Sequence, residues 1–255
     1  MTRTVTVVTA VHAPSARFLP EAYASLAAQR LPDGWDWQWV VQEDGETGDV
    51  APHVPEDPRV SFGQGRPGRA AMARTLALSR AEGEFVRVLD ADDRLTSGAL
   101  ARDIAALTRA PGTGWAVSRA LDLLPDGSTV SVDDGPLEGP IARGSVLAAW
   151  RERDFLPPVH PATLCVRRDL LLALGGWMAL PASEDTGLLL ALDAVSPGWF
   201  TAEPGLLYRK WRGQATASTA HADARERAAR ASVMADRALA LAELGWRAGD
   251  PAGRD

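Results

Sequence analysis

The stretch Phe85–Asp93, FVRVLDADD, decides how this chain reads. Its first five residues are largely apolar and β-branched, the composition of a strand buried on both faces of a sheet. The run then stops on Asp90, Asp92 and Asp93, three carboxylates within four residues. Carboxylates this close repel one another unless a cation sits among them. A hard divalent ion, Mg²⁺ or Mn²⁺, held by one or two carboxylates and by phosphate oxygens fits the pattern. Open α/β sheets bind ligands beyond the carboxyl ends of their strands, which is where this cluster falls. The competing structural reading has these aspartates capping the next helix.

Outward from this stretch, strands and helices alternate. Val5–Val11 reads as a buried strand, followed by a loop over residues 12–17 and a helix in which Pro20 suits the first turn. Residues 37–42 read as a second strand running into EDGETGD, and residues 60–62 as a short third. Ala70–Ala81 reads as a helix with Gly83 beyond its end, and Ser97 as the cap of a helix reaching Arg109. Such alternation predicts an α/β fold whose central sheet is mostly parallel and flanked by helices. Further on, Pro125-Asp126-Gly127-Ser128 predicts a hairpin turn between strands at 115–123 and 129–132. Pro157, Pro158 and Pro161 predict a rigid extended loop around His160. A helix over 184–195, a strand ending in GLLYRKW and a long Ala- and Arg-rich helix from about 222 to 244 complete the chain.

Composition narrows the function. The 255 residues carry 27 Lys and Arg against 33 Asp and Glu, a formal charge of −6, which speaks against a broadly basic nucleic-acid binder. One cysteine, Cys165, excludes a disulfide framework and a cysteine-clustered zinc site. No run approaches the ~18 apolar residues of a membrane span, and the first residues lack a secretory h-region, so the expected setting is cytoplasmic. Polar residues recur at predicted strand ends: His12 after the first, Glu43 and Asp44 after the second, and the aspartates after the fourth.

Several pieces, in order, carry a family resemblance. LPEAYASLAAQ matches "L-x-x-x-x-x-S-L-x-x-Q" through Ser25, Leu26 and Gln29; VQEDGETGD stands for "V-D-D-G-S-x-D", with Glu43 in place of the first Asp. GRAAMARTLALSRAEGEF stands for "G-x-x-x-A-R-N", with Arg74 matching and Thr75 in place of Asn. LDADD is intact, RRDLLLALGGW matches "R-R-x-x-x-x-x-x-G-G", and Glu184-Asp185 matches the "E-D" helix start. In these features the chain resembles the family 2 glycosyltransferases of the GT-A fold, the nucleotide-diphospho-sugar transferases.

The resemblance implies one Rossmann-like domain over 1–246. Its donor half would be 1–95, its acceptor half 96–220 and a C-terminal helix 221–246, with a frayed tail at 247–255. It implies a metal-dependent, inverting, non-processive transfer of one sugar from a nucleotide-diphosphate sugar, most simply a UDP-sugar, to a hydroxyl of a small-molecule or soluble glycan acceptor. Ala10, His12, Glu43, Asp44, Arg74, Asp90, Ala91 and Asp92 would form the donor site. His12 would stack on the base, Glu43 or Asp44 would bind its edge, and Arg74 would contact base or diphosphate. Asp90 would approach the ribose, and Asp92 would hold Mn²⁺ or Mg²⁺. Asp185 would be the general base, with Glu184 orienting it or the acceptor. His160 and Trp177 stand on the acceptor side.

The residues themselves leave plainer readings open. Glu184-Asp185 also suits the negative first turn of any helix, with Ser183 as its cap, and Trp177 could fill core. Relatives with "Y-R-x-H" complete the metal site with histidine. Here YRKW puts Trp211 at that place, leaving Asp92 and phosphates, or His221, as ligands. A catalytically silent sugar-nucleotide or glycan binder and a sugar-1-phosphate nucleotidyltransferase are the alternatives. The latter opens with a Gly-rich loop, where this chain has HAPSAR.

Overall fold

The computed structural model describes residues 2–109, 112–131, 135–214 and 223–244. The element order is β1 (Arg3–Val11), α1 (Leu19–Ala27), β2 (Trp35–Glu43), β3 (Val60–Gly63), α2 (Arg69–Ala77), β4 (Phe85–Val88), β5 (Arg94–Leu95) and α3 (Ala99–Arg109). It continues with β6 (Trp115–Leu123), β7 (Thr129–Ser131), β8 (Gly139–Ile141), α4 (Ser145–Glu152), β9 (Cys165–Arg167), α5 (Arg168–Ala173), α6 (Glu184–Val195), β10 (Gly198–Arg209) and α7 (Ala224–Glu243).

These strands form one sheet in the order β3-β2-β1-β4-β9-β6-β10-β5, with β7 beside β6 and β8 beside β10. The long ladders are parallel, β1 with β2 and β6 with β10, as are β1–β4 and β2–β3. Antiparallel pairing enters through short strands; β9 joins the two parallel halves by pairing antiparallel to both β4 and β6. The sheet is therefore mostly parallel, as expected.

Strands β1 and β4 are covered on both faces, which is why they read as largely apolar runs. Val5 and Val7 face Leu19 and Leu26 of α1 and Leu100 and Ile104 of α3, while Val8 faces the layer of α2, α5, α6 and α7. Helix α6 is buried from Gly187 to Val195 because the sheet lies on one side of it and Met234, Ala235 and Ala238 of α7 on the other. Trp39, Trp115 and Trp150 are fully buried. Two satisfy their indole N–H groups as buried Trp generally must: Trp39 donates to Thr9 Oγ1 at 2.9 Å and Trp115 to the Ser196 carbonyl at 3.1 Å.

The matched residues of α1 have a mechanical role. Ser25 Oγ accepts from the Leu95 amide at 3.0 Å; the Gln29 side chain donates to the Thr96 carbonyl at 2.8 Å and accepts from the Leu100 amide at 3.2 Å. Three hydrogen bonds thus pin the chain just after the acidic cluster, fixing how that cluster leaves the sheet.

Two sequence expectations change. Helix α3 starts at Ala99, two residues past Ser97, because Gly98 at φ +71° turns the chain first. Ser183 makes no side-chain cap on α6; it is itself left-handed, at φ +64°. The hairpin at Pro125–Ser128 and the bounds of α6 are found as read. The tail at 247–255 and His221 lie outside the described residues.

Candidate active site

The carboxyl ends of β1, β2 and β4 open onto a cleft of about 550 Å³. Ala10, His12, Asp44, Arg74, Asp90, Ala91 and Asp92 line it from the N-terminal part of the chain, and His160, Glu184 and Asp185 from the rest. Ten of the twelve residues expected at the site therefore share one cavity. The exceptions are Glu43 and Trp177, which stand behind its wall.

Asp90 to Asp93 form a tight turn closed by the Asp93 amide on the Asp90 carbonyl at 3.1 Å. Asp93 points inward, and its Oδ1 accepts the Arg209 amide at 2.8 Å. Burial, then the neighbouring Asp90 and Asp92, pushes its carboxyl well above the usual range. Arg209 also donates to the Asp92 carbonyl and to Glu21, so the turn is tied to β10 and α1 together. Within LDADD, then, Asp93 is structural, held by Arg209, and Asp90 and Asp92 face the cleft.

Burial, then Asp90 beside it, also raises the Asp92 carboxyl above its ordinary value. Its Oδ2 accepts the Trp211 indole N–H at 2.5 Å. Trp211 is held there by the edge of Phe18 and by Arg17 over its ring. Asp90 and Asp92 present carboxylates to the cleft, a donor set that suits a hard divalent cation. Among the described residues no group of three or more His, Cys, Asp or Glu side chains gathers to hold one.

Arg74 is 3% exposed and joins the two halves. Its Nη2 donates to Asp90 Oδ1 at 2.5 Å, and its Nη1 to Glu184 Oε1 at 2.8 Å and to Asp185 Oδ1 at 2.9 Å. Burial lowers its basicity, but the three carboxylates outweigh that and hold the guanidinium above its ordinary value. A planar fork can span such a set; a lysine's point charge could not. Arg74 thus lines the cleft as a clamp on three carboxylates.

Asp185 sits on the first turn of α6 with its carboxyl raised to about 7. Burial is the largest cause; Arg74 opposes it, Glu184 and Asp90 add to it, and the Trp177 N–H opposes it. Trp177 Nε1 donates to Asp185 Oδ1 at 2.8 Å. Its ring is 5% exposed, so it offers no open face to a sugar.

Glu43 is also turned away from the cleft. It accepts from the Thr47 amide and hydroxyl at 2.9 and 2.7 Å and from Gln64 at 3.1 Å. Burial alone would raise its carboxyl, and these donors bring it below the ordinary value. Its charge organises the loop 44–47, while Asp44 Oδ1 receives the amides of Gly68 and Arg69 at 2.6 and 2.9 Å. His12 is steadied by Ser15, whose Oγ lies 3.0 Å from its Nδ1. His160 packs against Tyr208, ring centroids 4.9 Å apart. Ser15, Arg69, Tyr208 and Gln214 also line the cleft. Tyr208 was within reach of sequence reading, since it belongs to the YR pair; Ser15, Arg69 and Gln214 carry no signal that sets them apart from surface residues.

No protein-family model matches the chain, and no curated protein matches it in sequence. Solved structures do. Residues 1–349 of S. aureus TarS in complex with UDP-GlcNAc superpose with a TM-score of 0.67 and 18% identity, over 86% of this chain and 61% of that one. The same piece in complex with UDP gives 0.62 and 16%, over 82% and 61%. A further TarS structure gives 0.62 and 19%, over 96% and 43%. This chain thus spans about three fifths of the first two. The likeness is one of fold, and the fold is the GT-A glycosyltransferase fold. No helix among the described residues is long and apolar enough to cross a membrane.

Proposed function

We propose that this chain is a glycosyltransferase that moves one sugar from a nucleotide-diphosphate sugar, taken first to be a UDP-sugar, onto a hydroxyl of a small-molecule or soluble glycan acceptor. The carrying observation is that Arg74 gathers Asp90, from the end of β4, with Glu184 and Asp185, from the start of α6, at one cleft. Donor-side and acceptor-side carboxylates meet there, as a displacement between two bound sugars requires. The GT-A fold, shared with a TarS structure holding UDP-GlcNAc, supports the choice of donor.

In this reading Ala10 and Ala91 leave room for the nucleotide, His12 lies against its base and Asp90 against its ribose. Asp44 faces the donor, with Glu43 holding the loop behind it. Asp92 would hold Mn²⁺ or Mg²⁺ together with the donor's phosphate oxygens, and such an ion neutralises charge on a departing diphosphate. Asp185 takes the proton from the acceptor hydroxyl, for which a carboxyl titrating near neutrality is suited. The acceptor oxygen forms its bond to the anomeric carbon as the bond to the diphosphate breaks on the opposite face, a single displacement that inverts configuration. Glu184 and His160 orient the acceptor.

UDP release from UDP-GlcNAc, with a panel of hydroxylated acceptors, tests the proposal. Asp185→Asn should bind UDP as the wild type does and lose turnover. Turnover at the wild-type rate in that variant would place the base elsewhere.

A further inference from the structure

Trp177 is the one expected acceptor-side residue that the cleft does not expose, and its position has a different explanation. Gly175 and Gly176 both adopt left-handed conformations, at φ +79° and +73°, a pair that side chains with a Cβ rarely adopt. A Cβ on Gly176 would stand 2.9 Å from Thr75 Oγ1. The turn brings the Trp177 amide to that same hydroxyl at 3.3 Å and swings the indole under the first turn of α6. There its Nε1 donates to Asp185 Oδ1, the oxygen that Arg74 also holds. The Arg74 guanidinium lies 5.9 Å from the indole centroid. Both donors therefore converge on one carboxylate oxygen, and among the described residues none is found on the other, Oδ2.

We propose that Trp177 is a positioning residue for the reaction: with Arg74 it fixes Asp185 Oδ1, so that Oδ2 alone is presented to the acceptor hydroxyl. This rests on the reading of Asp185 as the base. Arg74 by itself would leave the carboxylate free to rotate about its Cβ–Cγ bond, since its fork is shared among three acids. A neutral, rigid N–H anchored through Thr75 removes that freedom without adding a second cation that would weaken the base. Arg74 on α2, Asp90 after β4 and Glu184 on α6 are the charged groups facing Asp185, and a change at Trp177 leaves all three in place.

Two readouts test it. In protein carrying ¹⁵N-labelled tryptophan, the Trp177 indole N–H resonance, identified by its loss in Trp177→Phe, should be displaced in Asp185→Asn; an unmoved resonance overturns the contact. UDP release from UDP-GlcNAc should fall about tenfold in Trp177→Phe, the loss expected for one hydrogen bond to a charged group. UDP binding should be unchanged. The acid limb of the rate profile should move to higher pH by about one unit, because the lost donor favoured the ionised carboxylate. Thr75→Val, which keeps the indole and removes only its anchor, should move rate and limb the same way by less; it also serves if Trp177→Phe does not fold. Rates and pH limbs like the wild type's in these variants, beside an inactive Asp185→Asn, overturn the positioning role alone. An active Asp185→Asn overturns the base assignment and this inference with it.

Discussion

Replacing Asp185 by asparagine should make the protein more stable, and more so at higher pH. The carboxyl is raised to about 7 in the fold from a reference of 3.8. A raised acid binds a proton in the native state that the unfolded chain has released, so stability falls as pH climbs between those two values. Below the lower value both states are protonated and the cost vanishes. Above the upper value it is complete, at roughly 4 kcal/mol for a shift of about three units. At about pH 5 less than half of it is expressed, and at about pH 8 nearly all. Asn keeps the shape and cannot ionise, so every pH-independent consequence of the change cancels when the two conditions are compared. The gain in stability should therefore be larger at about pH 8 than at about pH 5, by roughly 2–3 kcal/mol. For a chain of this length that widens the gap in melting temperature by about 5 °C. Thermal melts of both proteins at the two pH values measure it. A gap that stays constant, or narrows as pH rises, would refute the claim that Asp185 is held against its preference for ionisation.

Other expectations follow from the same geometry. Arg74→Met leaves Asp90, Glu184 and Asp185 clustered without their shared cation, which should cost about 3–5 kcal/mol near neutral pH. Part of that loss should return in acid melts, as the carboxylates take up protons. Gly176→Ala places a Cβ 2.9 Å from Thr75 Oγ1 at φ +73°. It should cost about 1–3 kcal/mol in denaturant titrations and lower UDP release by displacing Trp177; a neutral effect would mean the turn is not strained. Glu43→Ala removes the acceptor of two hydrogen bonds from Thr47 in the loop 44–47 and one from Gln64, so limited proteolysis should cut that loop faster than in the wild type.

Most of the fold was legible because its signals are local. Strands buried on both faces read as apolar runs, and the acidic turn after β4 breaks the apolar pattern abruptly. That the sheet is mostly parallel follows from the alternation of its strands with helices. The antiparallel strand β9 was not legible: three residues, Cys165–Arg167, carry too little pattern to show that they bridge the two halves of the sheet. The candidate site divides the same way. Asp90 and Asp92 stand out in the sequence because they follow an apolar strand, and Glu184 and Asp185 because they open a helix. What those residues touch does not, since it depends on tertiary approach. Arg74 reads as one of several helix arginines until β4 and α6 bring three acids to it. Glu43 reads as a free carboxylate until Thr47 and Gln64 fold back onto it. Trp177 is ambiguous in sequence because core packing and ligand contact call for the same side chain, and its indole N–H does neither.

The most direct measurement is calorimetric titration of UDP into the wild type, Asp92→Asn and Asp185→Asn, each with and without Mn²⁺. Binding that requires Mn²⁺ in the wild type, survives in Asp185→Asn and is lost in Asp92→Asn is the predicted result. Absence of UDP binding by the wild type under both conditions, or equal binding by Asp92→Asn, would contradict the account of this cleft as a metal-assisted site for a nucleotide-sugar donor.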